Sequence, residues 1–342
     1  MQDIKESTLK ELEAVLMKWG EKGFRAQQIF TWIYKKGAPD FSQMSDLTLD
    51  LRKKLKENFA LYSLKLVNQV VSRDKTAKFL FSLKDRNLIE AVTIPAEKRT
   101  TACISTQVGC KFACRFCASG LLCFKRNLTC AEMIDEILSL KNNSQQQLIT
   151  HLVFMGTGEP LDNYDHVIKA IRIINSAYSF NIGARRITIS TCGIIPGIKR
   201  LANEGLQIEL SVSLHAADDK LRTQLLPVNK KYPLKDLLLA CAEYTKKTKR
   251  QITFEYVLIK GINSALPDAQ NLSKILRSLN CKVNLIPANP VKEFKIEPPN
   301  KLEILLFRDS LLKTGINAIL RKPRGQDIEA ACGQLRLRNE KK

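Results

Sequence analysis

Three cysteines, Cys110, Cys114 and Cys117, stand within one short stretch, GCKFACRFCASG (109–120), in C-x3-C-x2-C spacing. Thiols this close together can hold a metal, react, or simply pack. Structural zinc normally takes four protein ligands arranged as two pairs, and the chain has no second C-x2-C pair. Three incidental buried thiols would make the local density a coincidence. An iron–sulfur cluster held by thiolates is the third reading. Three ligands for four irons leave one iron without a protein ligand, open to a substrate or cofactor. A cluster that only relays electrons needs no such vacancy, so the spacing points to a reactive centre. The chain has 10 cysteines, many for a reducing compartment, where cysteine chemistry usually means metal or catalysis.

Charge gives the next constraint. Fifty-five Lys and Arg against 34 Asp and Glu leave a net charge of +21 over 342 residues. A surplus of this size favours a polyanionic partner, since each neutralised phosphate releases counterions. Basic clusters recur at 124–127, 229–235, 246–250 and 321–324. No basic amphipathic helix with bulky apolar residues opposite stands out, so nucleic acid is favoured over a membrane surface. The sequence shows no apolar span long enough to cross a bilayer. MQDIKESTLKELEAVL lacks the apolar core of a secretory signal. A cytoplasmic location is expected, without membrane contact.

The elements that must position the cysteines follow from periodicity. Residues 1–60 read as helices: Thr8 opens a capping box with Glu11, Gly20 closes the first helix, and FRAQQIFTWIYKKG sets Phe30, Ile33 and Tyr34 on one stripe before Gly37. A third helix is expected over 45–59. A compact helical RNA-binding domain is expected at 1–60 and a small antiparallel β region at 61–98, where LKLVNQVV, AKFLFSL and LIEAVTIP are split by polar turns. The third region, 99–342, alternates strand-like and helix-like segments. Its strand candidates are TACISTQV, ITHLVFMG, RRITISTC, IELSVSLH, QITFEYVLI and KVNLIPA, with helices at 129–140, 163–176, 235–248 and 267–279. A last helix at 300–314 and the strand INAILR follow. The βαβα order predicts an α/β fold with a parallel sheet, either doubly wound or an incomplete barrel. Both display chemistry at the carboxyl ends of the strands.

A C-x3-C-x2-C loop after the first strand of such a run resembles the radical S-adenosylmethionine (SAM) superfamily. ISTQVGCKFACRFCASG, FKRNLTCAEM, FMGTGEPLDN, SVSLHAADDKLR, NKKYPLKDLLLAC and GQDIEAACGQL together resemble the RlmN-type adenosine-C2 methyltransferases, over nearly the whole chain. The resemblance implies an incomplete (β/α)6 radical SAM barrel with an N-terminal helical domain and a small antiparallel β linker region. It implies one [4Fe–4S] cluster on Cys110, Cys114 and Cys117, whose open iron chelates SAM and whose electron cleaves it to a 5′-deoxyadenosyl radical. Two SAM molecules would be used per turnover.

Adenine C2 is electron-poor and no nucleophile toward a sulfonium methyl group, so the methyl is first parked on a thiolate. By similarity that carrier is Cys332, in the C-terminal tail, and Cys103 is the resolving thiol that frees the RNA through a transient disulfide. Glu90 matches the proposed acceptor of the C2 proton. SAM contacts carry over to Gly158, Glu159, Ser190, Ser213, Leu214, His215 and Asn289. Each has an ordinary alternative: Cys332 lies among small residues, Cys103 lies in a strand, Glu90 alternates with apolar neighbours, and a strand-end His215 is commonly structural. Cys123, Cys130, Cys192, Cys241 and Cys281 match no family role. Cys192 and Thr157 stand where relatives commonly carry other residues.

The expected substrates are 23S rRNA at the peptidyl transferase centre and tRNA beside the anticodon. A flavodoxin or ferredoxin system would supply electrons to a monomeric enzyme. Two other readings are the sibling C8 chemistry of antibiotic-resistance enzymes and a non-catalytic iron–sulfur or zinc RNA-binding protein. Pro160 and TIPAEKR resemble the C2 enzymes more, and the non-catalytic reading leaves Cys332 and Cys103 without a task.

Overall fold

A computed structural model describes residues 1–143, 148–289, 296–331 and 334–335. The first helix, α1 (Leu9–Lys18), starts on a reciprocal capping box between Thr8 and Glu11 and ends with Gly20 at φ +81°. A second, α2 (Phe24–Phe30), continues as a wider π turn over Thr31–Lys36 rather than as one uniform helix. Lys141 donates to the carbonyls of Tyr34 and Lys35 at 3.3 and 2.7 Å, taking up acceptors that helix geometry leaves free there. The helix α3 (Leu49–Asn58) completes this unit, and Leu12, Leu16, Phe30, Ile33, Leu51 and Leu55 bury its inner faces.

Ten strands then form one sheet. They are β1 (Lys65–Val71), β2 (Ala77–Ser82), β3 (Leu88–Ala96), β4 (Arg99–Cys103), β5 (His151–Phe154), β6 (Ile187–Thr191), β7 (Glu209–Ser213), β8 (Ile252–Leu258), β9 (Cys281–Pro287) and β10 (Asn317–Leu320). Their order in the sheet is their order in the chain. The first four pair antiparallel and every later pairing is parallel. A doubly wound sheet reverses its strand order part-way across, whereas a barrel wall does not. The sequential order therefore settles the choice left open by the sequence in favour of the barrel. The wall is incomplete, because its end strands do not pair with each other.

Its curvature shows in the side chains. Cys103 on β4, Ser211 on β7, Glu255 on β8, Asn284 on β9 and Ile319 on β10 line a single interior cavity. Alternate residues such as Leu210, Phe254, Tyr256, Val283 and Leu285 are buried in the outer apolar core. That core lies beneath α4 (Cys130–Asn143), α5 (Tyr164–Asn175), α8 (Leu234–Thr248), α9 (Leu266–Leu276) and α10 (Lys301–Lys313). Two shorter helices, α6 (Ile195–Leu201) and α7 (Asp219–Leu225), follow β6 and β7. Among the described residues no helix is long and apolar enough to cross a membrane.

The helical unit is fastened to the barrel by a buried cation. Lys5, wholly buried, contacts Asp3 at 2.9 Å and Asp135 of α4 at 3.4 Å, and donates to the Tyr62 carbonyl at 2.7 Å. Beside it, Glu6 accepts from the Ala131 amide at 2.8 Å, in the first turn of α4. Burial pushes the Asp135 carboxyl upward, and the Lys5 ammonium opposes that shift. A Lys5→Met variant leaves two buried carboxyls without their cation and should lose about 3–5 kcal/mol in urea unfolding. Lys54→Ala, which removes the exposed Lys54–Asp50 pair, should change stability by less than about 1 kcal/mol.

Candidate active site

The site is built where the chain beyond β4 meets the loop beyond β5. The sequence suggested one strand over TACISTQV, but the ladder stops at Cys103 and a short pair, Gln107–Val108 with Arg126–Asn127, follows. Ile104–Gln107 leaves the ladder to bind residues 156–159. The Gly156 amide donates to Ile104 O at 3.0 Å, and the Thr106 and Gln107 amides donate to Thr157 O at 2.9 and 3.2 Å. The Thr157 amide donates to Ser105 Oγ and that of Glu159 to Gln107 Oε1, both at 2.9 Å. A Cβ on Gly156 would stand 2.6 Å from the Ile104 carbonyl, and one on Gly158, at φ +108°, would stand 2.6 Å from Gln107 Cβ. GTGEP is thus a loop whose glycines let two backbones touch.

The cysteine loop starts from this seam. Gly109 turns at φ +76°, where a Cβ would meet the Cys123 carbonyl at 2.1 Å. The Cys110 amide then donates to Leu122 O at 3.3 Å, and that of Cys117 to Cys114 O at 3.1 Å. Cys110, Cys114 and Cys117 line one cleft at the carboxyl end of the barrel, together with Gly158, Glu159, Ser190, Ser213, His215 and Asn289. Leu214 differs: its side chain is buried in the outer core, so only its backbone is available to the cleft.

Burial pushes the Cys110 thiol up to about 12 and the Cys114 thiol well above its usual value, with the charges of neighbouring cysteines adding to both shifts. A cation is therefore needed to hold them as thiolates. Among the described residues no three His, Cys, Asp or Glu side chains converge as ligands of a single ion. The donor set fits a cluster with one iron left free.

Glu159, buried, accepts from the Cys192 amide at 2.7 Å and the Leu161 amide at 3.0 Å. Burial raises its pKa, while these amides favour the ionised form. Its oxygens retain lone pairs for a cationic amine. His215 adopts φ +57° and accepts from the Val257 amide at 3.0 Å through Nδ1, so the ring proton sits on Nε2. Its ring meets Phe116 edge-on at 4.5 Å. Burial, with the Arg222 charge adding, lowers its pKa to about 3. His215 is neutral at physiological pH, a donor rather than a base.

Cys103 and Glu90 do not line this cleft. Cys103 faces the interior cavity, which shares Met155, Ile286, Asn289, Glu255 and Arg321 with the cleft. Glu90 lines a smaller pocket with Lys78, Asp327, Ile328 and Glu329, and its carboxylate lies 3.3 Å from the Lys78 ammonium. Val92 sits opposite Cys103 in the β3–β4 register. Glu90, two residues along β3, therefore faces the same side as Cys103.

Cys332 lies outside the described residues, but the segments on either side of it cover this face. Ala330 and Leu335 pack against Val92 and Cys103. The Leu335 carbonyl accepts from Ser119 Oγ at 3.0 Å, just beyond Cys117. Upstream, Asp327 accepts from Ser72 Oγ at 2.6 Å and from the Arg73 amide at 3.2 Å, and the Gly325 amide donates to Asp74 at 3.1 Å. Lys78 also donates to the Glu329 carbonyl at 3.2 Å. Sequence reasoning missed Ser72 and Asp74, because SRDKT between two strands reads only as a turn, and Lys78, because it reads as an ordinary residue of the strand AKFLFSL.

A parallel barrel in chain order, with a three-cysteine loop after its first parallel strand and a GEP loop after its second, is the arrangement of a radical SAM enzyme. Residues 104–268 match the family model of the Radical SAM superfamily, and residues 2–61 match that of the Ribosomal RNA large subunit methyltransferase N-terminal domain. The chain is 47% identical over 337 residues to a probable dual-specificity RNA methyltransferase RlmN of Thermoanaerobacter sp. (strain X514), covering 98% of each chain. It is 46% identical over 342 residues to one of Thermotoga sp. (strain RQ2), covering 100% of this chain and 99% of the other. A crystal structure of a radical SAM methyltransferase from Sphaerobacter thermophilus superposes with a TM-score of 0.92 at 42% identity, covering 98% of this chain and 99% of that one. The chain belongs to the RlmN family and is a SAM-dependent radical SAM RNA methyltransferase.

Two expectations follow. Gly325 sits at φ +62°, where a Cβ would lie 2.9 Å from both Thr76 Cγ2 and Ala330 Cβ. Gly325→Val should cost at least about 1–2 kcal/mol and make the C-terminal tail sensitive to limited proteolysis. Gly205→Val, at φ +68° with open space around it, should leave the tail protected. The second expectation concerns pH. With His215 at about 3 when folded, against about 6.5 unfolded, the unfolded chain takes up the proton first. Stability should fall as pH drops through about 6.5, level off near 3, and lose that part of its slope in His215→Gln.

Proposed function

We propose that this enzyme methylates C2 of an adenosine in 23S rRNA at the peptidyl transferase centre, and in tRNA beside the anticodon. The observation that carries the reading is the convergence of Cys103, Glu90 and both flanks of residue 332 on one face, next to the cysteine loop. When bound, the [4Fe–4S] cluster on Cys110, Cys114 and Cys117 supplies the electron that reductively cleaves SAM.

The protein's own residues do the rest. Glu159, with Gly158, receives the amino end of SAM, while Ser190, Ser213, His215, Asn289 and the Leu214 backbone bound the remainder of the cleft. The Cys332 thiolate takes a methyl group from one SAM by displacement, releasing S-adenosylhomocysteine. The S-methyl group then gives up a hydrogen atom to the 5′-deoxyadenosyl radical that a second SAM would supply. The carbon radical so formed adds to C2, and the one electron that this adduct must lose would return to the oxidised cluster. Glu90, whose carboxylate lies beside the Lys78 ammonium, accepts the C2 proton. The Cys103 thiolate then attacks the Cys332 sulfur. An S–S bond forms as the S–C bond breaks, the electron pair goes to the carbon on the base, and a proton completes the methyl group. An external dithiol resets the disulfide.

The target base has a route in. Arg99, Arg185, Lys282, Arg321, Lys322 and Arg324 line the interior cavity and suit phosphates around an extruded nucleotide. The N-terminal domain, residues 1–60, contacts the RNA backbone. The antiparallel region, 61–98, holds Glu90 and anchors the tail, and 99–342 carries the chemistry. The enzyme works as a cytoplasmic monomer fed by a flavodoxin or ferredoxin system.

The test has two arms. Nucleoside mass spectrometry of rRNA and tRNA treated with the reconstituted enzyme should find 2-methyladenosine, and 8-methyladenosine alone would overturn the reading. Cys103→Ala should accumulate a covalent RNA–protein adduct and lose at least about 100-fold in turnover, as expected when a group acting as part of a unit is removed. Free methylated product from that variant at the normal rate would remove the thiol-carrier scheme.

A further inference from the structure

Arg222, in the SVSLHAADDKLR stretch, has no part in the scheme above, yet among the described residues it is the largest wholly buried side chain. Its guanidinium donates only to neutral acceptors: Asn229 Oδ1 at 2.6 Å, Cys192 O at 2.8 Å and Ser213 O at 3.0 Å. Its Nε has no partner, and among the described residues it makes no ion pair. The carboxylate of Asp219 reaches it only through Asn229, whose amide donates to Asp219 Oδ1 at 2.8 Å. A guanidinium stays charged in a protein, and a buried charge without a counter-ion is costly.

The surroundings indicate what balances it. Arg222 ties together the ends of β6 and β7, the strands that bring Ser190 and Ser213 to the cleft. One turn further along α7, Leu225 O accepts from the Arg115 amide at 3.0 Å, inside the cysteine loop between Cys114 and Cys117. Leu225 and Leu226 pack in one apolar cluster with Cys114 and Cys192. The positive charge thus lies behind the thiols, in a low-dielectric layer where its field is little screened.

We infer that Arg222 is the built-in counter-charge of the iron–sulfur site: it sets the cluster's reduction potential and does not itself touch SAM or RNA. This rests on the cluster reading above. Three thiolates make the loaded site anionic, and one-electron reduction adds a further negative charge. A fixed cation nearby stabilises the reduced form and raises the midpoint potential, since net charge and burial are among the determinants of such potentials. The electron comes from an external low-potential donor, dithionite in the assay.

The test is an EPR-monitored redox titration of anaerobically reconstituted holoprotein, without SAM, beside iron content and circular dichroism. Arg222→Gln, neutral but able to donate hydrogen bonds, should lower the midpoint by about 60 mV or more. That equals a tenfold or larger fall in the reduced-to-oxidised ratio at fixed potential, at 59 mV per decade for one electron. Arg222→Lys should stay within a third of that shift. Asn229→Asp sets a carboxylate against the intact guanidinium and should lower the midpoint as Arg222→Gln does; it decides the matter if Arg222→Gln fails to fold or load iron. An unchanged midpoint in Arg222→Gln or, failing that variant, in Asn229→Asp would overturn the inference. So would an equal fall in Arg222→Lys, which would assign the effect to packing. Wild-type protein that takes up no cluster would instead sink the reading on which the inference rests.

Discussion

Everything catalytic in this chain depends on the contact between Ile104–Gln107 and Gly156–Glu159. Two backbones meet there closely enough that a Cβ on Gly156 or Gly158 would overlap its neighbour. From that seam the chain runs one way into the cysteine loop and the other into Glu159 and its amide partners. Ser105 extends the seam sideways: its hydroxyl donates to the Glu90 carbonyl at 2.7 Å and accepts from the Thr157 amide. Beneath it, the wholly buried Glu136 accepts from the Ser105 amide at 2.9 Å. Burial raises the Glu136 carboxyl well above the usual range, while the Ser105 amide favours its ionised form. One short junction therefore sets the relative positions of the three-cysteine loop, Glu159 and the strand that carries Glu90.

Charge is sorted by depth. The surplus of Lys and Arg belongs mostly to the surface and to the rim of the interior cavity, where phosphates can approach. Apart from the fixed charge of Arg222 behind it, the ionisable groups lining the cleft are muted: His215 is neutral and Glu255 is pushed upward by burial, with Arg321 opposing. A site that handles open-shell carbon gains from such an interior, because few mobile protons and little water remain to intercept a reactive species.

Much of this was legible in the sequence because the informative residues obey local rules. The capping boxes at Thr8 and Thr129 and the C′ glycine at 20 fall where hydrogen-bond accounting requires them. The cysteine spacing and the GEP loop mark the cleft because ligand geometry and close backbone approach restrict which residues can serve. The break after Cys103 was not legible, since Ile104–Gln107 is as apolar and β-prone as the strand before it. What ends the ladder is a partner some fifty residues away in sequence. The short α6 and α7 were missed for want of length, and nothing local in the sequence marks Arg222 on α7 as buried. Leu214, one step of strand alternation from Ser213, sends its side chain into the outer core and leaves its backbone to the cleft. Lys78 and the 72–76 turn carry no local signal, because their partners lie at the far end of the chain.

The strand order also bears on how the molecule is made. A sheet laid down in chain order lets each new strand find its neighbour already in place, so the wall can grow as the polypeptide leaves the ribosome. The tail breaks that economy: Asp327 must return to Ser72 across 255 residues of sequence, the kind of distant closure that comes late. The face bearing Cys103 and Glu90 is therefore covered only after residues 325–335 have been made, and a chain cut before them would leave that face of the barrel open.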